Sequence, residues 1–206
     1  MHSSFISYAS AVAAGVIVGI CGPLFASAAG GVGNVVHVTF SSGWSWAALA
    51  FCLGMMGESK KRSTAIGVIS LVVAVLSYYL AKAGQGDFET ADLSDKTGQT
   101  TYFSWGDFLS MSAVWCFFAC LLGAALGVAG NMARNGPYSL PCRLVVPFVA
   151  IVECSMRLRD EGSLQTSIVT TTWSVTRVAA AAIALVLVAY SVVGNWRRRS
   201  ARRIQV

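Results

Sequence analysis

The stretch Arg143–Glu161, RLVVPFVAIVECSMRLRDE, decides how the rest of the chain is read. It is apolar enough to enter a bilayer, yet it carries Glu153 and Arg157 one helical turn apart. At the usual helical rise Glu153 falls about 15 Å from Arg143, close to the middle of a hydrocarbon layer about 30 Å thick. An ionisable group at that depth is costly unless it is paired or put to use. Glu153 is therefore the first candidate functional residue.

Composition extends this reading to the whole chain. Of 206 residues 55% are hydrophobic and only 12% charged, half of the roughly 25% usual in soluble domains. The charges cluster between long apolar runs, as in membrane spans joined by short loops. Six spans fit, at about residues 5–25, 41–57, 63–83, 105–131, 143–161 and 172–196, and they leave no room for a soluble domain. The expectation is an all-α, polytopic membrane protein with one transmembrane domain over 1–206. The net charge of +6 would suit nucleic acid if it formed one patch. Here the basic residues lie in loops on one side, so the partner they imply is the lipid bilayer and not nucleic acid.

Orientation follows from counting. With both termini cytoplasmic, the inner side holds Lys60, Lys61, Arg62, Arg134, Arg143 and the five arginines of the tail, with Glu58 as the one opposing acid. The outer side holds Lys82, Lys96, Arg157, Arg159 and Arg177 together with the other eight acids. That bias is what the positive-inside rule requires. Ala26–Gly30 (ASAAG) resembles a signal-peptidase site, but no Lys or Arg precedes span one, so the span is expected to be retained. The tail WRRRSARR reads as an anchor on anionic lipid.

Two stretches carry the candidate chemistry. Glu153, with Arg157 and with Arg177 at the start of span six, could form a substrate or proton pathway; the competing reading is an i, i+4 ion pair that only satisfies itself. The Gly30–Trp46 segment holds Asn34, His37, Ser41 and Ser42 on glycine-rich backbone. It is either loop or a short re-entrant piece lining a polar, outward-facing mouth.

Small residues four apart mark helix-packing seams: Gly15, Gly19 and Gly22 in span one, and Gly123, Gly127 and Gly130 in span four at the same spacing. The two spans would run in opposite directions, which fits two inverted three-helix halves. The six cysteines fall mostly inside spans, where cysteine packs as a small apolar residue. No metal-ligand cluster, P-loop or hydrolase motif is present, so no cofactor and no enzymatic activity are expected.

The run Asn34…Ser42-Gly43-Trp44…Phe51-x2-Gly54, taken with Glu153 in span five, resembles a family of small bacterial six-helix membrane proteins with no assigned function. That resemblance implies a multi-pass plasma-membrane protein. In size and span number the chain is also similar to the substrate-binding membrane subunits of energy-coupling-factor vitamin transporters, whose first span docks on a coupling subunit through Ala-x3-Ala; Ala9 and Ala13 have that spacing. This likeness implies substrate capture with a membrane partner subunit. The functional expectation is a small transport or substrate-capture component. The alternative is a non-transporting scaffold or accessory subunit, in a hetero-complex or a homo-oligomer.

Overall fold

A computed structural model describes residues 2–26, 30–91, 100–134 and 138–203, with side chains for those between 6 and 193. Most of the signal-peptidase-like stretch, the acids at Asp92 and Asp95, the Asn135–Pro137 turn and the side chains of the basic tail lie outside the described residues. The elements are α1 (His2–Ala26), α2 (Gly31–Phe40), α3 (Gly43–Gly54), α4 (Lys60–Gly84), the strands β1 (Glu89–Ala91) and β2 (Thr101–Phe103), α5 (Trp105–Arg134), α6 (Ser139–Asp160) and α7 (Ser167–Arg203). The strands pair antiparallel, Glu89 opposite Phe103. One end of the bundle carries the hairpin and the other the basic residues Lys60, Lys61 and Arg62.

Five helices are long and apolar enough to cross a membrane: α1, α4, α5, α6 and α7. Within the expected second span, 41–57, the chain forms one helix, α3, of only 12 residues, about 18 Å long and too short to cross alone. The separate helix α2 precedes it, in place of the expected loop or re-entrant piece. The two pieces count together as one span, so the chain is an all-α polytopic membrane protein of about six spans.

Helix α4 is the axis of the bundle, and the glycine seams explain why. A Cβ on Gly15 of α1 would lie 2.6 Å from the Ser70 carbonyl oxygen, and one on Gly19 would run into that of Ala74. On another side of α4, a Cβ on Gly123 of α5 would lie 2.7 Å from the Gly67 oxygen, and one on Gly127 would strike that of Ser63. Backbones this close gain van der Waals contact and Cα–H···O attraction that larger residues would forbid. The buried clusters Ala50, Leu71, Val75, Ala119 and Ala11, Leu53, Ile66 fill the spaces beside these seams.

The packing is not that of two equivalent halves. In the first half α1 lies along α4, whereas in the second α5 and α7 do not touch among the described residues. In both seams the first two glycines meet α4, whereas the third meets the broken span, Gly22 at Ser41 Oγ and Gly130 at the Phe51 carbonyl. Helix α7 is peripheral, resting on α6 and, near its start, on α2. Leu185, Val186, Tyr190 and Val192 face outward from it.

At the hairpin end Phe88, Phe103, Trp105 and Phe108 form an aromatic cluster, Phe103 and Trp105 with ring centres 4.8 Å apart. The Lys82 ammonium pairs with Asp87 at 2.7 Å beside it. Aromatic rings beside paired charges suit a membrane–water boundary. At the basic end, α3 is closed by α5: Asn131 Nδ2 donates to the Gly57 carbonyl at 2.8 Å, and Arg134 donates to those of Met55 and Gly57 at 3.2 and 3.3 Å. Asn131→Leu is expected to lower stability by about 1 kcal/mol, the usual net worth of one such bond. Unfolding in mixed detergent micelles measures it, and an unchanged midpoint would remove Asn131 from the closure.

Candidate functional site

The break between α2 and α3 is a polar, partly buried feature among the helices, and its backbone groups find partners one by one. Lipid offers no partners, so each N–H and C=O there needs one from the protein. At the end of α2 the His37 carbonyl accepts from the Ser41 N–H at 2.9 Å. The Val38 carbonyl accepts from Ser42 Oγ at 2.6 Å, and that of Phe40 from the Trp46 indole at 2.8 Å. At the start of α3 the Ser45 N–H bonds the Ser42 carbonyl at 3.2 Å. The Gly43 and Trp44 N–H groups remain, and Glu153 of α6 takes both: Oε1 accepts from Gly43 at 2.9 Å and Oε2 from Trp44 at 2.8 Å.

Glu153 thus caps a helix to which it does not belong. Ser42, in the N-cap position, makes no side-chain cap of its own. The carboxylate faces the positive end of the α3 dipole, the favourable place for an anion. Arg157 Nε adds a third bond, to Oε1 at 3.2 Å. Gly43 lets the carboxylate approach, since a Cβ there would meet Oε2 at 3.3 Å. Of the two sequence readings, the local ion pair is present, and the backbone clamp is an addition to it.

Depth is also revised. Because α6 begins at Ser139 and ends at Asp160, Glu153 stands about 21 Å from its basic end and about 10 Å from its hairpin end. The clamp lies in the hairpin-side half and not at the centre.

Beside the clamp, near the end of α6 that faces the hairpin side, a polar cavity of about 300 Å³ lies between α2, α6 and α7. Asn34, His37, Ser41 and Ser42 line one wall, as the sequence suggested. Arg157 and Glu161 form the second wall. Gln165 and Thr166, with Val169 and Trp173 of α7, form the third. Glu153 does not line this cavity; it lines a shallow, largely apolar groove along α6 with Phe148, Val152 and Met156.

Bond geometry fixes what several of these groups offer. His37 Nδ1 lies 2.8 Å from the Gly22 carbonyl, which can only accept, so Nδ1 carries a hydrogen and Ser41 Oγ at 3.3 Å shares it. In the neutral ring Nε2 is then an acceptor. Gly22 admits this approach, for a Cβ on it would lie 2.9 Å from Ser41 Oγ; it belongs to the site as much as to a seam. The Arg157 guanidinium is held by Glu153, lies 3.8 Å from Glu161 and stands over the Trp173 ring at 5.7 Å. Trp173 is only 3% exposed, and its indole N–H has no acceptor among the described residues.

Arg177 does not join the clamp. It stands one turn beyond Trp173 on α7, exposed, and makes no ion pair or hydrogen bond among the described residues. Gly15, Gly19, Gly123, Gly127 and Gly130 are all in close seams. All six cysteines are free thiols, and no cluster that could hold a metal ion occurs among the described residues. Sequence reading missed Glu161, Gln165, Thr166 and Trp173. The available signal was Trp173 itself, one aromatic ring among the hydroxyl residues that open span six.

Comparison of the chain with protein-family models, with curated proteins and with solved structures finds no match. What defines the protein is its architecture: a polytopic, all-α membrane bundle of about six spans with one broken span clamped by a carboxylate.

Proposed function

We propose that the protein is a small transport or substrate-capture component, taking a polar solute into the cavity between α2, α6 and α7. The observation that supports this is the cavity's make-up: a broken span is held open beside side chains that offer both donors and acceptors. Broken spans in transporters likewise place helix ends and irregular backbone where a solute binds. In this reading Glu153 is the latch that shapes the site, and Arg157, Asn34 and His37 are its solute-facing groups. The chain has no catalytic role and works in the plasma membrane. The charge bias puts its termini in the cytoplasm and the cavity on the outer side.

Asn34→Cys tests access. In membranes of known orientation, a charged, membrane-impermeant thiol reagent is expected to modify this variant from the hairpin side, above the reaction of the six native thiols. No added reaction from that side would sink the capture reading.

The second reading, an accessory subunit, draws on α7. Its exposed apolar face and single long neighbour suit docking on another membrane protein. It predicts normal assembly of a larger complex after the cavity is blocked.

A further inference from the structure

We infer that Arg177 anchors a docking surface on α7 for a transmembrane helix of another membrane protein, one that carries a carboxylate at the same depth. This goes beyond the accessory reading by giving the chemistry of the partner, and it does not depend on the capture reading.

Depth comes first. The sequence places Arg177 at the start of span six, but α7 begins at Ser167, which puts the arginine inside the span. It lies about 15 Å along the helix from Ser167 and about 24 Å from Val193. Trp173, one turn before it, stands against Arg157 of α6. Because α7 turns back along α6, Arg177 is level with Glu153, about 10 Å inside the hairpin end of α6.

Its surroundings supply no counter-charge. Arg177 is exposed, and it makes no ion pair or hydrogen bond among the described residues. A charge facing lipid at such depth is costly, and arginines inside spans normally face a bundle interior or pair with an acid. Snorkelling is limited to the length of one side chain, which is shorter than the distance to either helix end. Beside the arginine, Val178, Leu185 and Val192 stand one heptad apart on α7, and all three are exposed. That is the spacing at which one helix packs along another. Lipid chains can cover this stripe, but they cannot neutralise the guanidinium. A helix with a carboxylate does both.

A second copy of this chain does not supply the acid. Among the described residues Glu58 lies at the basic end, and Asp87, Glu89, Asp107, Asp160 and Glu161 lie toward the hairpin end. Glu153 is level with Arg177, but its carboxylate is held by Gly43, Trp44 and Arg157. A twofold pairing through the stripe would also bring two arginines together. The occupant is therefore a different protein.

The test uses the full chain in phosphatidylcholine vesicles with a synthetic single-span peptide of Leu and Ala that carries one Glu. Energy transfer from the tryptophans of the chain to a label on the peptide measures association. The Glu peptide is expected to bind at least about tenfold more tightly than its Gln counterpart, the effect of a charge-assisted bond. Arg177→Met is expected to erase that preference without lowering the thermal midpoint, because the arginine has no bond to lose. Arg177→Lys is expected to keep most of it. In native membranes, a photo-crosslinking residue in place of Leu185 is expected to join the chain to a protein with an Asp or Glu inside a span. Equal binding of the Glu and Gln peptides, the result if lipid phosphate or water serves the guanidinium, would overturn the inference. A Glu preference that survives Arg177→Met would overturn it too, as would crosslinks to lipid alone or to a second copy. None of these outcomes alters the Asn34→Cys reaction, so this inference and solute capture fail separately.

Discussion

Gly127→Leu is expected to yield no folded protein, the largest single effect in the molecule. Gly127 lies where three helices meet: a Cβ on it would strike the Ser63 carbonyl of α4, while a Cβ on Gly54 of α3 would lie 2.5 Å from the carbonyl of Gly127 itself. The atoms in the way of a Gly127 side chain are backbone atoms of α4, those of Ser63 and Gly67, so no rotamer change relieves the clash. Overpacking a core costs about 1–3 kcal/mol where side chains can shift. Here α5 must move off α4, and Gly54 of α3 rests on the same stretch of α5. Gly127→Ala is the graded version, with a loss of about 2 kcal/mol. Gly106 is the control, because it is on the same helix with nothing near its Cβ position; its change to Ala is expected to be neutral or slightly stabilising. Size-exclusion profile and thermal midpoint in detergent decide the matter. A monodisperse Gly127→Leu protein melting near the wild type would mean that the α3–α4–α5 seam is wrong.

Glu153→Gln is expected to cost about 1–3 kcal/mol, the range for losing hydrogen bonds to a charged group that is only partly buried. The amide keeps the size of the carboxylate but loses its charge, and its NH2 group confronts an N–H that needs an acceptor. Arg157 loses its nearest anion at the same time. The second substitution makes the argument specific. Arg157→Met alone removes one of three bonds to the carboxylate, leaving the backbone clamp. In the double variant no unpaired guanidinium remains, so the combined loss is expected to be smaller than the sum of the single losses. Additive losses would show that Glu153 and Arg157 act independently, and an unchanged midpoint in Glu153→Gln would remove the clamp altogether.

Much of the fold was legible because lipid imposes a simple rule: apolar runs of sufficient length become helices. The seams at Gly15, Gly19, Gly123 and Gly127 were legible too, since close approach needs residues without side chains. Their partners were not. Spacing states how near a neighbour can come and says nothing of which neighbour, so a common fit to α4 looked like a repeat of halves. The polar turn Ser41-Ser42-Gly43 announced a break, and Asn34 and His37 do line the cavity beside it. The bonds of Glu153 to Gly43 and Trp44 left no trace in the sequence, because every residue but proline offers the same backbone N–H. Arg177 shows the converse: a charge that topology puts on the same side of the membrane as Glu153, and that lies outside the clamp in space.

The clamp also sets a schedule. Gly43 and the Glu153 that holds it are 110 residues apart, and a ribosome adds about 5–20 residues per second. For roughly 5–20 s after α3 is made, its first N–H groups have no carboxylate to receive them. During that interval those groups need water or another part of the chain as partners, because lipid supplies none. The first turn of α3 is therefore completed from the C-terminal half of the protein.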